Sequence, residues 1–146
     1  MSWAGLVVLL IVLMVATPVV VLVLRRRWLS RDGGLFECSV RIGPGRSGWA
    51  LGVARYSGED LECFRVFSFS FCPRVRVHRG RAAIVAVRDA EPEEQSVLFA
   101  GQRVLQIVGA DSPDSGPVEL AMEPGSLTGL MSWLEAAPPG LADREV

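Results

Sequence analysis

The chain has 146 residues, a formal net charge of −1, one histidine, three cysteines and no lysine among its fifteen basic residues. A single imidazole excludes a metal site built from two or three histidines. About 120 residues beyond the apolar start leave room for one compact domain and not for two.

Residues 3–24 carry no charge, and Arg25, Arg26 and Arg27 follow at once. At about 1.5 Å per residue such a run is helical enough and long enough to cross a hydrocarbon core of about 30 Å. A secretory signal would need a basic start, a shorter apolar stretch and a small-residue cleavage site. A buried core helix would show a polar stripe. The run fits neither alternative, and residues 1–28 are expected to be an uncleaved transmembrane anchor with a basic flank. Trp3 and Trp28 bracket it at interface depth, and Arg25, Arg26 and Arg27 form its collar. Basic flanks stay inside, so the N-terminus should face out, with the rest cytoplasmic at the plasma membrane. Cys38, Cys63 and Cys72 have no ligand spacing and suit a reducing compartment as buried thiols.

Residues 29–140 are expected to form one mainly-β cytoplasmic domain, with 141–146 a flexible tail. Period-two alternation marks residues 35–42, where Phe36, Cys38, Val40 and Ile42 share a face. Gly43, Pro44, Gly45 and Gly48 force a turn before a second strand over 49–56, with Trp49, Leu51 and Val53 opposite Ala50, Gly52 and Ala54. A third strand covers 61–67, and Phe67, Phe69 and Phe71 alternate with Ser68, Ser70 and Cys72 until Pro73 interrupts. Strands over 74–78, 81–87, 97–99, 103–108 and 118–122 follow. Leu127, Leu130, Met131 and Leu134 then change the period to that of a helix over 126–137, with Ser126 as N-cap and Pro138, Pro139 and Gly140 as its stop. The expected fold is an N-terminal transmembrane helix, about seven antiparallel strands in a partly open barrel or sandwich, and one C-terminal amphipathic helix.

Little in this chain supports catalysis. His78 follows an Arg-Val-Arg-Val alternation and reads as a solvated strand residue, without a local signature pairing it to Cys72 or Cys63. Glu59, Asp60, Glu93 and Glu94 fall in turns. Gly43, Gly45 and Gly48 match a dinucleotide fingerprint by letter only, since they join two strands. No catalytic residue, metal or cofactor is expected. Charge is more informative. Residues 25–88 hold thirteen arginines against five acids, and residues 89–146 hold eleven acids against two arginines. Arg74, Arg76 and His78 project to one face, with Arg79 and Arg81 at the adjoining turn. Three readings stay open: the two halves pair across the fold, the cluster faces anionic lipid headgroups, or it meets an acidic protein partner. Nucleic acid is not expected, because the phenylalanines alternate like core residues.

The order of seven strands and a final helix is similar to the pleckstrin-homology-like architecture. The chain as a whole resembles an uncharacterised actinobacterial family of small single-pass membrane proteins. The resemblance is carried by the anchor with its arginines, residues 49–56 (WALGVARY), 64–68 (FRVFS) and 127–134 (LTGLMSWL). It implies the same topology and lends no activity. Two functions follow as expectations: a membrane-anchored binding or scaffold module, or a structural accessory subunit whose helix packs against another membrane protein.

Overall fold

The computed structural model describes residues 2–31, 33–42, 48–113 and 116–136. The expected tail over 141–146, the helix stop at 138–140 and the turn residues 43–47 lie outside the described residues. Helix α1 spans Trp3–Leu29, and its most apolar eighteen-residue stretch is nowhere buried against the rest of the chain. Pro18 sits inside it without ending it. Ser30 closes the helix, its amide donating to the Arg26 carbonyl at 3.1 Å.

Eight strands follow: β1 Phe36–Ile42, β2 Ala50–Ser57, β3 Asp60–Arg65, β4 Val75–His78, β5 Ala83–Asp89, β6 Arg103–Val108, β7 Ala110–Asp111 and β8 Val118–Met122. They form one antiparallel sheet in the order β5-β6-β8-β1-β2-β3-β4-β7, which leaves β5 and β7 as edges and does not close. Helix α2, Pro124–Glu135, ends the described fold.

One face of the sheet carries the main core. Cys38 and Val40, Leu61 and Cys63, Val75 and Val77, Leu105 and Ile107, and Leu120 and Met122 pack there, and Leu127 and Leu130 of α2 cover them. On β2 the small side faces this core: Ala54 is buried in it, while Leu51, Val53 and Arg55 project to the opposite face. Gly52 has no room for a side chain, since a Cβ there would lie 2.7 Å from the Phe64 carbonyl oxygen.

Three expectations are corrected. Residues 97–99 are not a strand. Glu94–Ser96 is a single 3-10 turn, and the Leu98 amide donates to the Glu94 carbonyl at 2.9 Å. Glu94 and Leu98 are one helical turn apart and both buried, so the segment folds inward instead of extending. The phenylalanines after β3 are not core residues, because Phe67, Phe69 and Phe71 are 87%, 57% and 50% exposed. Strand β3 stops at Arg65 and the chain leaves the sheet until the Arg74 amide rejoins the Cys63 carbonyl at 2.8 Å. Finally, α2 begins with Pro124, and Glu123 rather than Ser126 is its N-cap. Proline suits a first helical turn because its missing N–H has no partner there anyway.

A short strand that the sequence reading did not contain, β7, pairs Ala110 with Val77 and Asp111 with Arg76. It depends on Gly109, which adopts a φ of +79°, with the Arg81 carbonyl oxygen 2.4 Å from where a Cβ would stand. Gly109→Ala is expected to cost about 1–3 kcal/mol, through a strained backbone and a forced retreat of Arg81. Denaturant unfolding of the full chain in detergent measures it, and an unchanged midpoint would contradict this account of the turn.

Candidate functional site

Where the helix leaves its apolar run, the first charge is turned into the protein. Arg25 is only 4% exposed. Its Nε donates to the Ser70 carbonyl at 2.8 Å, Nη1 to that of Val66 at 3.3 Å and Nη2 to that of Arg65 at 2.8 Å. A planar guanidinium carries its donors in a fixed fork, so one side chain can hold several carbonyls of a curved loop. The loop over 66–74 is thereby latched to the last turns of α1.

The alternation of serine and phenylalanine acquires a local meaning in this loop. Ser68 Oγ accepts the Ser70 amide at 3.1 Å, and Ser70 Oγ accepts the Cys72 amide at 3.2 Å. Short hydroxyl side chains satisfy the backbone two residues ahead, an alternative to a strand ladder. The phenylalanines between them project outward. Phe71 meets Trp28 edge to face, with ring centroids 5.4 Å apart. The Arg55 guanidinium lies 4.9 Å over the Trp28 ring and binds Glu62 at 2.6 Å, which joins the helix end to the sheet.

Beside this junction is a cavity of about 370 Å³ between α1 and the sheet. Leu22 and Leu29 line it from the helix, Leu51 and Val53 from β2, and Val66 and Phe67 from the loop. The exposed Arg26, Arg65 and Arg74 surround the same end of the domain and form no ion pair among the described residues. Trp3 stands exposed at the other end of α1, and Arg27 is exposed in its last turn.

The predicted basic cluster has a different surrounding. Antiparallel register sets Glu62 opposite Arg76 and Asp60 opposite His78. Arg76 binds Glu62 at 3.0 Å, and His78 Nδ1 lies 2.6 Å from Asp60. Arg79 reaches Glu59 at 3.7 Å and lies over the Trp133 ring, and Arg81 reaches Asp111 at 3.4 Å. Four of the five groups therefore have carboxylate partners, and among the described residues Arg74 has none. The hairpin places them unequally too. Arg25 holds the Arg65 end of β3, whereas His78 and Arg79 lie at the Asp60 end, about 17 Å along the strand.

A second ionic site escaped the sequence reading. On the sheet's outer face Arg41 binds Glu94 at 3.0 Å and also Glu119, while Arg88 binds Glu94 at 2.7 Å and Glu119 at 3.4 Å. The Arg88 hydrogen bond holds the Glu94 carboxyl down to about 2, and the carboxylates raise Arg88 in turn. This cluster is saturated with its own charges, as a structural brace is. Cys38 and Cys63 are buried as expected, but Cys72 is exposed. A hydrogen bond between Cys63 and Cys38, together with burial, pushes the Cys63 thiol well above its ordinary value, away from an activated thiolate.

Comparison with known proteins agrees with the described architecture in extent. A family model described as "Protein of unknown function (DUF2550)" matches residues 9–140. An uncharacterized protein of Mycobacterium leprae (strain TN) is 32% identical over 131 residues, covering 88% of this chain and 89% of the relative. An uncharacterized protein of Mycobacterium tuberculosis, from strains CDC 1551 / Oshkosh and H37Rv alike, is 30% identical over 137 residues, covering 92% and 93%.

Proposed function

The chain belongs to the DUF2550 family of proteins of unknown function, and from that premise we propose a membrane-anchored, non-catalytic binding or scaffold module. The α1 helix spans the plasma membrane with its N-terminus outside. The β-domain, pleckstrin-homology-like in its order of strands and final helix, sits at the inner face. One observation carries this reading: the first arginine after the apolar run is spent on holding the domain to the helix end. A leader destined for removal has no use for such a joint. Anionic headgroups or an acidic partner would be met by the exposed Arg26, Arg27, Arg65 and Arg74, rather than by the cluster that its own carboxylates occupy. Each arginine near an anionic leaflet contributes about 1 kcal/mol of attraction.

Reporter fusions at the two termini test the arrangement. A reporter at the C-terminus should be active only inside the cell, and intact protein should retain residues ahead of Arg25. Activity only outside, or a mature N-terminus beyond Arg27, would overturn it. The accessory-subunit reading keeps the support of one feature, the exposed Val97 and Phe99. Extraction in mild detergent that recovers a fixed, stoichiometric membrane partner would favour that reading over the module acting alone.

A further inference from the structure

We propose that the loop over 66–72 is a membrane-insertion loop, whose Phe67, Phe69 and Phe71 sit in the headgroup and acyl boundary of the same bilayer that α1 crosses. The inference rests on the membrane reading above and goes beyond it, since an anchor alone would leave the domain free to swing.

Three phenylalanines within five residues stand mostly in the open, at 87%, 57% and 50% exposure. Scattered apolar residues are ordinary on a protein surface, but three on one loop require a covering. Their position names it. Arg25 fastens the loop backbone to the turn at which α1 changes from apolar to basic, and Phe71 packs on Trp28 in that turn. The loop is therefore held at the depth of the helix exit. Its apolar surface is continuous with that of the helix, since Leu22 and Phe67 line one cavity.

The loop is also built for a half-wet medium. Ser68 and Ser70 satisfy backbone amides locally, and Arg25 satisfies three carbonyls, so few polar groups are stranded when water thins. Arg65 and Arg74, at the loop's two ends, are exposed and free to meet phosphate oxygens. The arrangement fixes the orientation of the domain. The end carrying Tyr56, Trp133 and Arg79 points away from the bilayer and into the cytoplasm.

The test uses the full chain in vesicles of phosphatidylcholine and phosphatidylglycerol. An environment-sensitive fluorophore is attached at Phe69→Cys in a Cys72→Ser background, the remaining Cys38 and Cys63 being buried. Parallel probes at Val12→Cys and Ser57→Cys report the anchor and the far end of the β2–β3 hairpin. Lipids with nitroxides at the headgroup should quench the residue 69 probe at least threefold more than the residue 57 probe. Mid-bilayer nitroxides should quench the residue 12 probe most. Phe67→Cys repeats the measurement at a neighbouring position in case the first variant folds poorly. Quenching at residue 12 with residues 67 and 69 no different from residue 57 would overturn the loop while leaving the anchor standing. Loss of quenching at residue 12 as well would overturn the membrane reading itself. Shielding at residue 69 that grows with protein density and ignores nitroxide lipids would assign the loop to a second copy of the chain and overturn the proposal.

Discussion

Glu94→Ala is expected to lower the unfolding free energy of the full chain by about 3–5 kcal/mol, as loss of one partner from a buried ionic cluster does. Glu94 is 4% exposed and faces two arginines, with the Glu91 amide donating to it at 2.9 Å. Its removal would leave Arg41 and Arg88 to share Glu119 alone. The Nε of Arg41 already lacks a partner among the described residues, so little slack remains. Against a domain stability of about 5–15 kcal/mol, the loss is a large fraction. Glu94→Gln keeps the shape, loses the charge and should cost somewhat less.

The pH dependence has a definite sign. The folded-state pKa of Glu94 is depressed from 4.5 to about 2, so the folded protein holds this carboxyl ionised where the unfolded chain protonates it. Its contribution is complete above about 4.5 and is lost as pH falls from there toward 2, on the order of 3 kcal/mol in all. Wild type should therefore lose stability over that window more steeply than Glu94→Gln. Denaturant midpoints at pH 6, 4 and 3 measure the difference, and parallel slopes for the two proteins would remove Glu94 from the explanation.

What was legible in the sequence was what a local period can carry. Alternation located β1 and β2 to within a residue or two, short apolar runs between turn signals located β6 and β8, and the i, i+3, i+4, i+7 stripe located α2. The same alternation misled at Phe67, Phe69 and Phe71, because serines between them can satisfy a loop backbone as readily as a solvent face. Only the Arg25 carbonyl contacts, some forty residues distant in sequence, distinguish the two cases. The charge cluster was half legible. Asp60 and Glu62 alternate on one strand as Arg76 and His78 do on a nearby one, and antiparallel pairing across a short loop would have set acid against base. The Arg41, Arg88, Glu94 and Glu119 brace joins four separate segments, and no spacing along the chain announces it.

Arg25→Ala is expected to release the loop over 66–74 from the helix while leaving α1 itself intact. Hydrogen bonds from a charged donor contribute about 1.5–3 kcal/mol each and are not additive, so the three together should hold the joint by about 2–4 kcal/mol. The effect is read at the Val66 and Arg74 amides, which bond to Leu51 and Cys63 where the loop leaves and rejoins the sheet. Their hydrogen exchange should accelerate at least thirtyfold, the lower end of that range. Arg25→Lys keeps the charge but offers a single compact ammonium in place of a fork, and should restore only part of the protection. Arg27→Ala removes an equal charge from an exposed position and should leave exchange unchanged. The proposed topology should be kept in all three variants, because Arg26 and Arg31 remain with at least one further arginine on the basic flank. If Arg27→Ala loosened the loop as much as Arg25→Ala, the collar would be acting through its total charge, and the latch geometry would not be what holds the domain to the helix.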